Sequence, residues 1–336
     1  MSHWTDNIPE DWGMETLDKS VSNVIDNRGR TAPTAEFGIP LIATNCIKEH
    51  ALYPVFEKLR YIDSETYNNW FRGHPEPNDI LFVNKGTPGG VCVVPDPVPF
   101  CIAQDMVALR ADSNKFDWKY LFAALRSRFV RSQIEALNVG TSIPHLKKTD
   151  FNRIVIPKPN IKDQRVIGEI YFSINDKIEL NLQMNKTLEE MAMTLYKHWF
   201  VDFGPFQEGE FVESELGMIP MGWEVATFDS MLVLQRGFDL PEINRVKGDY
   251  PVFAASGRST YHCEKKVNGP GITTGRSGVL GKVFFINEDF WPLNTTLWVK
   301  EYPNSSPYHA YFLLSTLNLK EFNSGSAVPT LNSVCL

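Results

Sequence analysis

The chain has 336 residues, 43% of them apolar and 22% charged, with a formal net charge of −7. That length predicts two or three domains of an ordinary soluble protein, no run approaches the ~18 apolar residues of a membrane span, and the acidic opening from Met1 to Trp12 lacks the apolar centre of a signal peptide. Five scattered cysteines (Cys46, Cys92, Cys101, Cys263, Cys335) without a Cys-x-x-Cys pair predict a reduced, cytoplasmic setting and argue against a disulfide framework or a zinc site.

In chain order, Ile8-Pro9 to Trp12 reads as an entry segment, followed by a short strand or helix around Met14–Val21. Asn27 to Thr31, with Arg28 and Arg30, reads as a polar basic loop, and Ile39–Ala43 as a strand. Residues 61–72 have helical spacing. Two apolar runs, Ile80–Val83 and Val91–Val94, flank the glycine loop from Asn84 to Gly90 and predict a hairpin with a wide polar tip. Cys101–Leu109 is a strand with a polar break at Gln104-Asp105, residues 117–137 are one amphipathic helix, Asn138–Leu146 is a loop, and Asn152–Pro157 is a short strand.

The stretch from about Asn160 to Phe203 contains no proline and one glycine. Ile167, Ile170, Ile174, Ile178, Asn181, Asn185, Leu188, Ala192, Leu195 and Trp199 recur at steps of three and four, the spacing of a helical seam. Asn160 suits a cap and Gly204-Pro205 a stop. At 1.5 Å per residue such a helix would be about 60 Å long, and its apolar stripe needs a partner helix. Asn181 and Asn185 would fix the register of that pairing; alternatively they face outward and Leu182 takes the seam.

Beyond it the chain starts again. Ile8-Pro9 returns at Ile219-Pro220, 211 residues on; Leu81–Cys92 returns at Ile272–Val283, 191 on, with Arg276 at the place of Lys85; Gln104-Asp105 returns at Asn294-Thr295, 190 on; and Gly140–Leu146 returns at Gly325–Leu331, 185 on. Four matches in one order make a repeat of about one domain. Only five residues follow Leu331, so the second copy is expected to be incomplete.

A body, a long helix and a second body, with Ile-Pro-x-x-Trp openings and a Gly-x-x-x-Pro-x-Leu segment late in each copy, together with Ile154–Pro159 leading into Gln164-Arg165-Val166-Ile167, resembles the specificity subunit of type I restriction–modification systems. The resemblance implies an α+β fold of two repeated target-recognition domains, 1–159 and an incomplete 206–336, joined by a spacer helix at 160–205. It implies a non-catalytic protein that reads a split DNA target and docks methyltransferase subunits and, through them, the restriction subunit. S-adenosylmethionine and ATP would belong to those partners. With one long helix instead of two, antiparallel self-pairing into a two-fold dimer is expected.

The residues themselves carry no enzyme motif: Gly275–Val283 approaches a phosphate loop but is one residue too long and has no Ser or Thr after Lys282, and the seven histidines show no ligand spacing. Nine basic side chains against four acidic ones over 110–153 offer a local face for a phosphate backbone, or simply a solvated helix. Phosphate candidates are Arg126, Arg128, Arg131, Lys147 and Lys148. Base-reading and loop candidates are Arg28, Arg30, Asn45, Lys85, Thr87, Gln104, Ser142, His145, Arg236, Arg258, Arg276 and Ser277, because Arg or Lys matches guanine and Asn or Gln matches adenine in the major groove; each reads equally as a surface loop residue. Two further readings stay open: a DNA-incompetent remnant that binds only methyltransferase subunits, and a pair of carbohydrate- or protein-binding β-modules, with Trp4, Trp12, Trp70, Trp118, Trp223, Trp291 and Trp298 as sugar-facing or core aromatics.

Overall fold

The structure, a computed structural model, describes residues 8–27, 30–137 and 144–322. Contacts divide the chain into two units, 1–186 and 187–336.

The first unit contains strands β1 (Gly13–Thr16), β2 (Val21–Asp26), β3 (Ile39–Ile42), β4 (Arg60–Ile62), β5 (Ile80–Val83), β6 (Val91–Val93), β7 (Cys101–Ile102), β8 (Met106–Ala111) and β9 (Val155–Lys158). Its helices are α1 (Leu17–Ser20), α2 (Ser64–Trp70), α3 (Trp118–Arg126), α4 (Arg128–Leu137) and the start of α5 (Ile161–Phe200). A four-stranded antiparallel sheet runs β2-β8-β5-β6. A three-stranded sheet runs β4-β3-β7, with β3 antiparallel to β4 and parallel to β7. The unbroken apolar run of β5 follows from burial on both faces: Ile80 and Phe82 meet Leu121, Phe122 and Leu125 of α3, while Leu81 meets Ile42 and Ile102 of the other sheet.

The second unit contains β10 (Phe211–Ser214), β11 (Gly217–Pro220), β12 (Val233–Arg236), β13 (Tyr250–Ala254), β14 (Gly257–His262), β15 (Gly271–Gly275), β16 (Val283–Ile286), β17 (Trp291–Pro292), β18 (Thr296–Glu301) and helices α6 (Phe228–Met231) and α7 (Pro307–Thr316). Its sheets run β12-β18-β15-β16 and β14-β13-β17, again with one parallel pair, β13 with β17. In these two sheets the topology matches that of the first unit strand for strand, so the repeat read from the sequence is a repeat of fold; the two-stranded pairs differ, β1 with β9 in the first unit and β10 with β11 in the second. The register of the repeat is not the one expected. Ile80 and Ile272 both face helices, whereas Leu81 faces the second sheet. Gly86 and Gly89, with φ of 92° and 86°, recur as Gly278 and Gly281, with φ of 89° and 85°. The displacement is therefore 192, not 191, and Arg276 stands at the place of Asn84 while Ser277 stands at that of Lys85. A slip of one residue puts a strand's side chains on the wrong face.

Two other expectations need correction. The helix expected over 117–137 is broken at Ser127, whose backbone is extended and whose hydroxyl accepts from the Val130 N–H at 3.3 Å, opening a new helix. The strand expected over 101–109 is two strands in different sheets; the chain crosses from one to the other at Ala103–Asp105.

Helix α5 is continuous for 40 residues. Asn160 caps it, its side-chain oxygen accepting from the N–H groups of Lys162 (3.0 Å) and Asp163 (3.1 Å). After its end Phe203 takes a left-handed conformation, φ 53°, ahead of Gly204-Pro205. Its first turns are pinned to the first unit by Gln164, 1% exposed, which accepts from the Asp117 N–H (2.9 Å) and donates to the carbonyls of Lys115 (3.0 Å) and Pro159 (2.9 Å). Gly168 is required there: a Cβ would lie 2.8 Å from the Lys119 Cβ and 2.9 Å from the Tyr120 nitrogen. Ile167 packs with Tyr171 and Phe172 against this core instead of joining a free seam. Near its other end Tyr196 is buried against Phe200, His309 and Phe312 of the second unit. Ile170, Ile174, Ile178, Leu188, Leu195 and Trp199 remain 46–57% exposed; Asn181, Leu182 and Asn185 are exposed beside them, and Ala192 is half-buried. No helix among the described residues is long and apolar enough to cross a membrane.

Candidate nucleic-acid interface

Each unit builds one loop cradle where its central strand ends. In the first unit β5 stops at Val83, and the N–H groups of Asn84 (2.9 Å) and Lys85 (3.2 Å) both donate to the Asp105 carbonyl, in the segment that crosses between sheets. From the other side, the Gly86 N–H donates to the Pro144 carbonyl (2.9 Å) and the Leu146 N–H to the Asn84 carbonyl (2.8 Å), with Lys85 and His145 paired as an isolated bridge. Gly86 and Gly89 supply the positive φ the loop requires. Lys85 and Thr87 are left exposed at the tip.

Beside the loop lies a cleft of about 270 Å³, lined by Asp26, Asn84, Gln104, His145, Lys147 and Lys148. Three of the expected segments, 84–90, 104–105 and 145–148, thus meet in one place. Lys148 forms an ion pair with Asp26, which also meets Arg72 at 3.5 Å. Asn84 donates through Nδ2 to the Leu146 carbonyl (3.1 Å), and Gln104 through Nε2 to Thr31 Oγ1 (3.2 Å), next to exposed Arg30. Their side-chain oxygens, Asn84 Oδ1 and Gln104 Oε1, are buried without a hydrogen-bond partner.

The second unit repeats the scaffold. The N–H groups of Arg276 (2.8 Å) and Ser277 (3.1 Å) donate to the Thr295 carbonyl, as those of Asn84 and Lys85 do to Asp105. Asp26 pairs with Val107 in the first unit and Arg236 with Leu297 in the second, so Arg236 holds the place of Asp26. Asn294, at the place of Gln104, donates to Asp239, which also lies 3.8 Å from Arg236. The loop 276–282 joins two antiparallel strands, which removes the helix N-terminus a phosphate loop needs.

Other expected residues lie elsewhere. Arg126 is turned inward: its guanidinium donates to the carbonyls of Ala51 and Val91 and lies 4.5 Å from the Phe122 ring. Arg131 faces Glu49 at 3.4 Å and its stem backs the Gly89 turn. Both arginines support the fold, Arg126 by donating to two backbone carbonyls and Arg131 by pairing with Glu49 and backing the Gly89 turn. Arg128 is exposed at the start of α4. Asn45 sits in the turn after β3 and donates to the Glu57 carbonyl (2.6 Å). Arg258 lies over Tyr261 at 5.5 Å on the β14 hairpin. Arg28, Ser142, Trp4, Cys335 and the match at Gly325–Leu331 fall outside the described residues. Asn84, Asp26 and Asp239 were not anticipated; the signal for Asn84 was its position at the strand end just before Lys85.

The remaining tryptophans pack. Trp291 is buried, Trp118 meets Phe172 edge-on at 5.0 Å, and Trp12 meets Tyr120 at 6.5 Å. Burial pushes the Cys92 thiol up to about 11 and that of Cys101 to about 12, so both stay protonated. No cluster of His, Cys, Asp and Glu among the described residues could hold a metal ion.

Residues 36–190 match the type I restriction modification DNA specificity domain. The chain is 32% identical over 126 residues to the specificity subunit of the type I restriction enzyme MjaIX of Methanocaldococcus jannaschii, covering 37% of this chain and 29% of that protein. It is 30% identical over 162 residues to the specificity subunit of MjaVIII from the same organism, covering 48% and 36%. The chain thus spans about a third of the length of these relatives. Among solved structures, the S subunit of a type I restriction–modification system from M. genitalium aligns over 88% of this chain and 73% of its own, at 18% identity and a TM-score of 0.47. Residues 36–190 are thus similar to the type I restriction modification DNA specificity domain, and parts of the chain are similar to specificity subunits of type I restriction enzymes.

Proposed function

We propose that this chain is the sequence-recognition subunit of a type I restriction–modification complex, acting in the cytoplasm. The bodies at 1–159 and 206–336 each read one part of a split double-stranded DNA target, and the helix at 160–205 is their spacer and pairing element. The chain docks methyltransferase subunits and, through them, the restriction subunit. It catalyses nothing itself; S-adenosylmethionine and ATP bind to those partners.

The observation that supports this reading most is the duplicated cradle. Backbone hydrogen bonds build the same loop support twice, from Asp105 and from Thr295, while the side chains presented differ. A reader of two different half-targets needs that combination. Lys85 and Lys147, both exposed, can hold phosphates, which position a duplex without selecting its sequence. The packing of Trp291, Trp118 and Trp12 against other side chains disfavours a sugar-binding module. The exposed stripe from Ile170 to Trp199 supports antiparallel pairing with a second copy.

The test is binding of the full chain, alone and with its methyltransferase partner, to a pool of duplexes across a salt titration. Three or more neutralised phosphates give a log–log slope of roughly −3 or steeper. A flat dependence in both preparations refutes DNA recognition and leaves the remnant reading.

A further inference from the structure

The two cradles present opposite hydrogen-bonding polarity at two matched places, Asn84 against Arg276 and Asp26 against Arg236. In the first unit the cleft sets the acceptor side chains of Asn84, Gln104 and Asp26 beside the ammonium groups of Lys147 and Lys148. Asn84 is 7% exposed, its NH2 is committed to Leu146 and that of Gln104 to Thr31, and both side-chain oxygens are buried and unpaired. Asp26 adds a carboxylate to the same cleft. Buried acceptors without donors are rare because each forfeits a hydrogen bond to water. Two in one cleft of about 270 Å³ mark it as a receptor for a donor group.

The second unit inverts the chemistry on the same backbone. Arg276 replaces Asn84 and Arg236 replaces Asp26 in the structural register. A guanidinium offers five N–H donors and no acceptor. That of Arg276 is half-buried and makes no hydrogen bond or ion pair among the described residues.

Resting on the proposed role in DNA recognition, we infer that the first unit selects a base that presents an exocyclic amine in the major groove, adenine or cytosine, through Asn84 and Gln104, and that the second selects guanine through Arg276. Adenine N6 and cytosine N4 are the only base donors on that edge, whereas guanine shows two acceptors, O6 and N7, spaced for a bidentate arginine. Adenine and cytosine share the donor chemistry the first cleft requires, and the selection below separates them. Asn84, Gln104 and Arg276 are then specificity-determining residues, distinct from the phosphate-holding Lys85 and Lys147.

The experiment is selection from randomised duplexes by the full chain with its methyltransferase partner, followed by sequencing, for the wild-type protein, Gln104→Leu, Asn84→Asp and Arg276→Gln. Thermal melts confirm that each variant is folded. Asn84→Asp keeps an acceptor but loses the bond to Leu146, so Gln104→Leu is the variant that carries the argument if Asn84→Asp fails to fold. Arg276→Gln should lower guanine preference at one position of one half-target roughly ten- to hundredfold and leave the other half unchanged. Gln104→Leu should relax one amine-bearing position in the other half. Unchanged motifs in both variants, or variants that alter total affinity without altering any position, overturn the inference and leave DNA recognition standing. Salt-dependent binding by the wild type with no enriched sequence overturns both.

Discussion

The side-chain amide of Gln164 is the joint between α5 and the first unit, and its removal has a calculable cost. It accepts one bond from Asp117 N–H and donates two, to Lys115 and Pro159, at 2.9–3.0 Å. At 1% exposure, water cannot replace them. In Gln164→Met the volume is nearly kept and the three bonds are lost. At about 1 kcal/mol each, with the penalty for stranded backbone groups on top, the first unit should lose roughly 3–4 kcal/mol. That is a large part of the 5–15 kcal/mol typical of a domain. Urea unfolding followed by tryptophan fluorescence reads it, since Trp118 lies beside Asp117 and packs on Phe172 of α5. The exposed Gln183→Met is the control. A difference between the two variants below about 1 kcal/mol would refute the assignment of Gln164 as the joint.

Gly168→Ala should destabilise the first unit by about 1–3 kcal/mol through overpacking on Lys119 and Tyr120, although alanine is the better helix former by about 1 kcal/mol; a stabilised variant in the same urea assay would show that the two helices can separate without loss. His309 donates or accepts between Tyr196 and Ser305 (3.2 and 3.0 Å), and burial holds its pKa below the ordinary histidine value of 6.5. The unfolded chain therefore binds the proton more readily, so this contribution is complete above about pH 6.5 and falls as pH drops from there toward the folded-state value. His309→Gln should flatten that part of the stability–pH curve of the second unit, and an unchanged curve would count against it. Leu188→Glu with Leu195→Glu should convert a self-paired chain to monomer in light scattering; a wild-type chain already monomeric at micromolar concentration would exclude self-pairing.

Local chemistry made much of the fold readable in advance. The continuous apolar run at Ile80–Val83, the glycines that follow it and the Asn160 cap each have one low-energy reading, and the structure takes it. Non-local competition made the rest opaque. Ser127 interrupts an apolar pattern that continues on both sides, so periodicity alone runs straight through it. The crossing at Ala103–Asp105 depends on a second sheet being present to receive β7. Residue similarity aligned the two glycine loops one position out, and only the ladder and the φ angles correct it. At the candidate interface, charge identified the region but not the direction of each side chain: Arg126 and Lys85 look alike in sequence, yet one is absorbed by carbonyls and the other is exposed.

The cradles owe their shape to peptide groups, with Asp105 and Thr295 contributing carbonyls to their loops. The identity of a residue at the tip is therefore nearly uncoupled from whether the loop forms. Substitutions such as that separating Lys85 from Ser277 can accumulate in one unit without unfolding it and without disturbing its counterpart. A lineage carrying this architecture can acquire a new preference through single codon changes, one half at a time, on a chassis that stays the same.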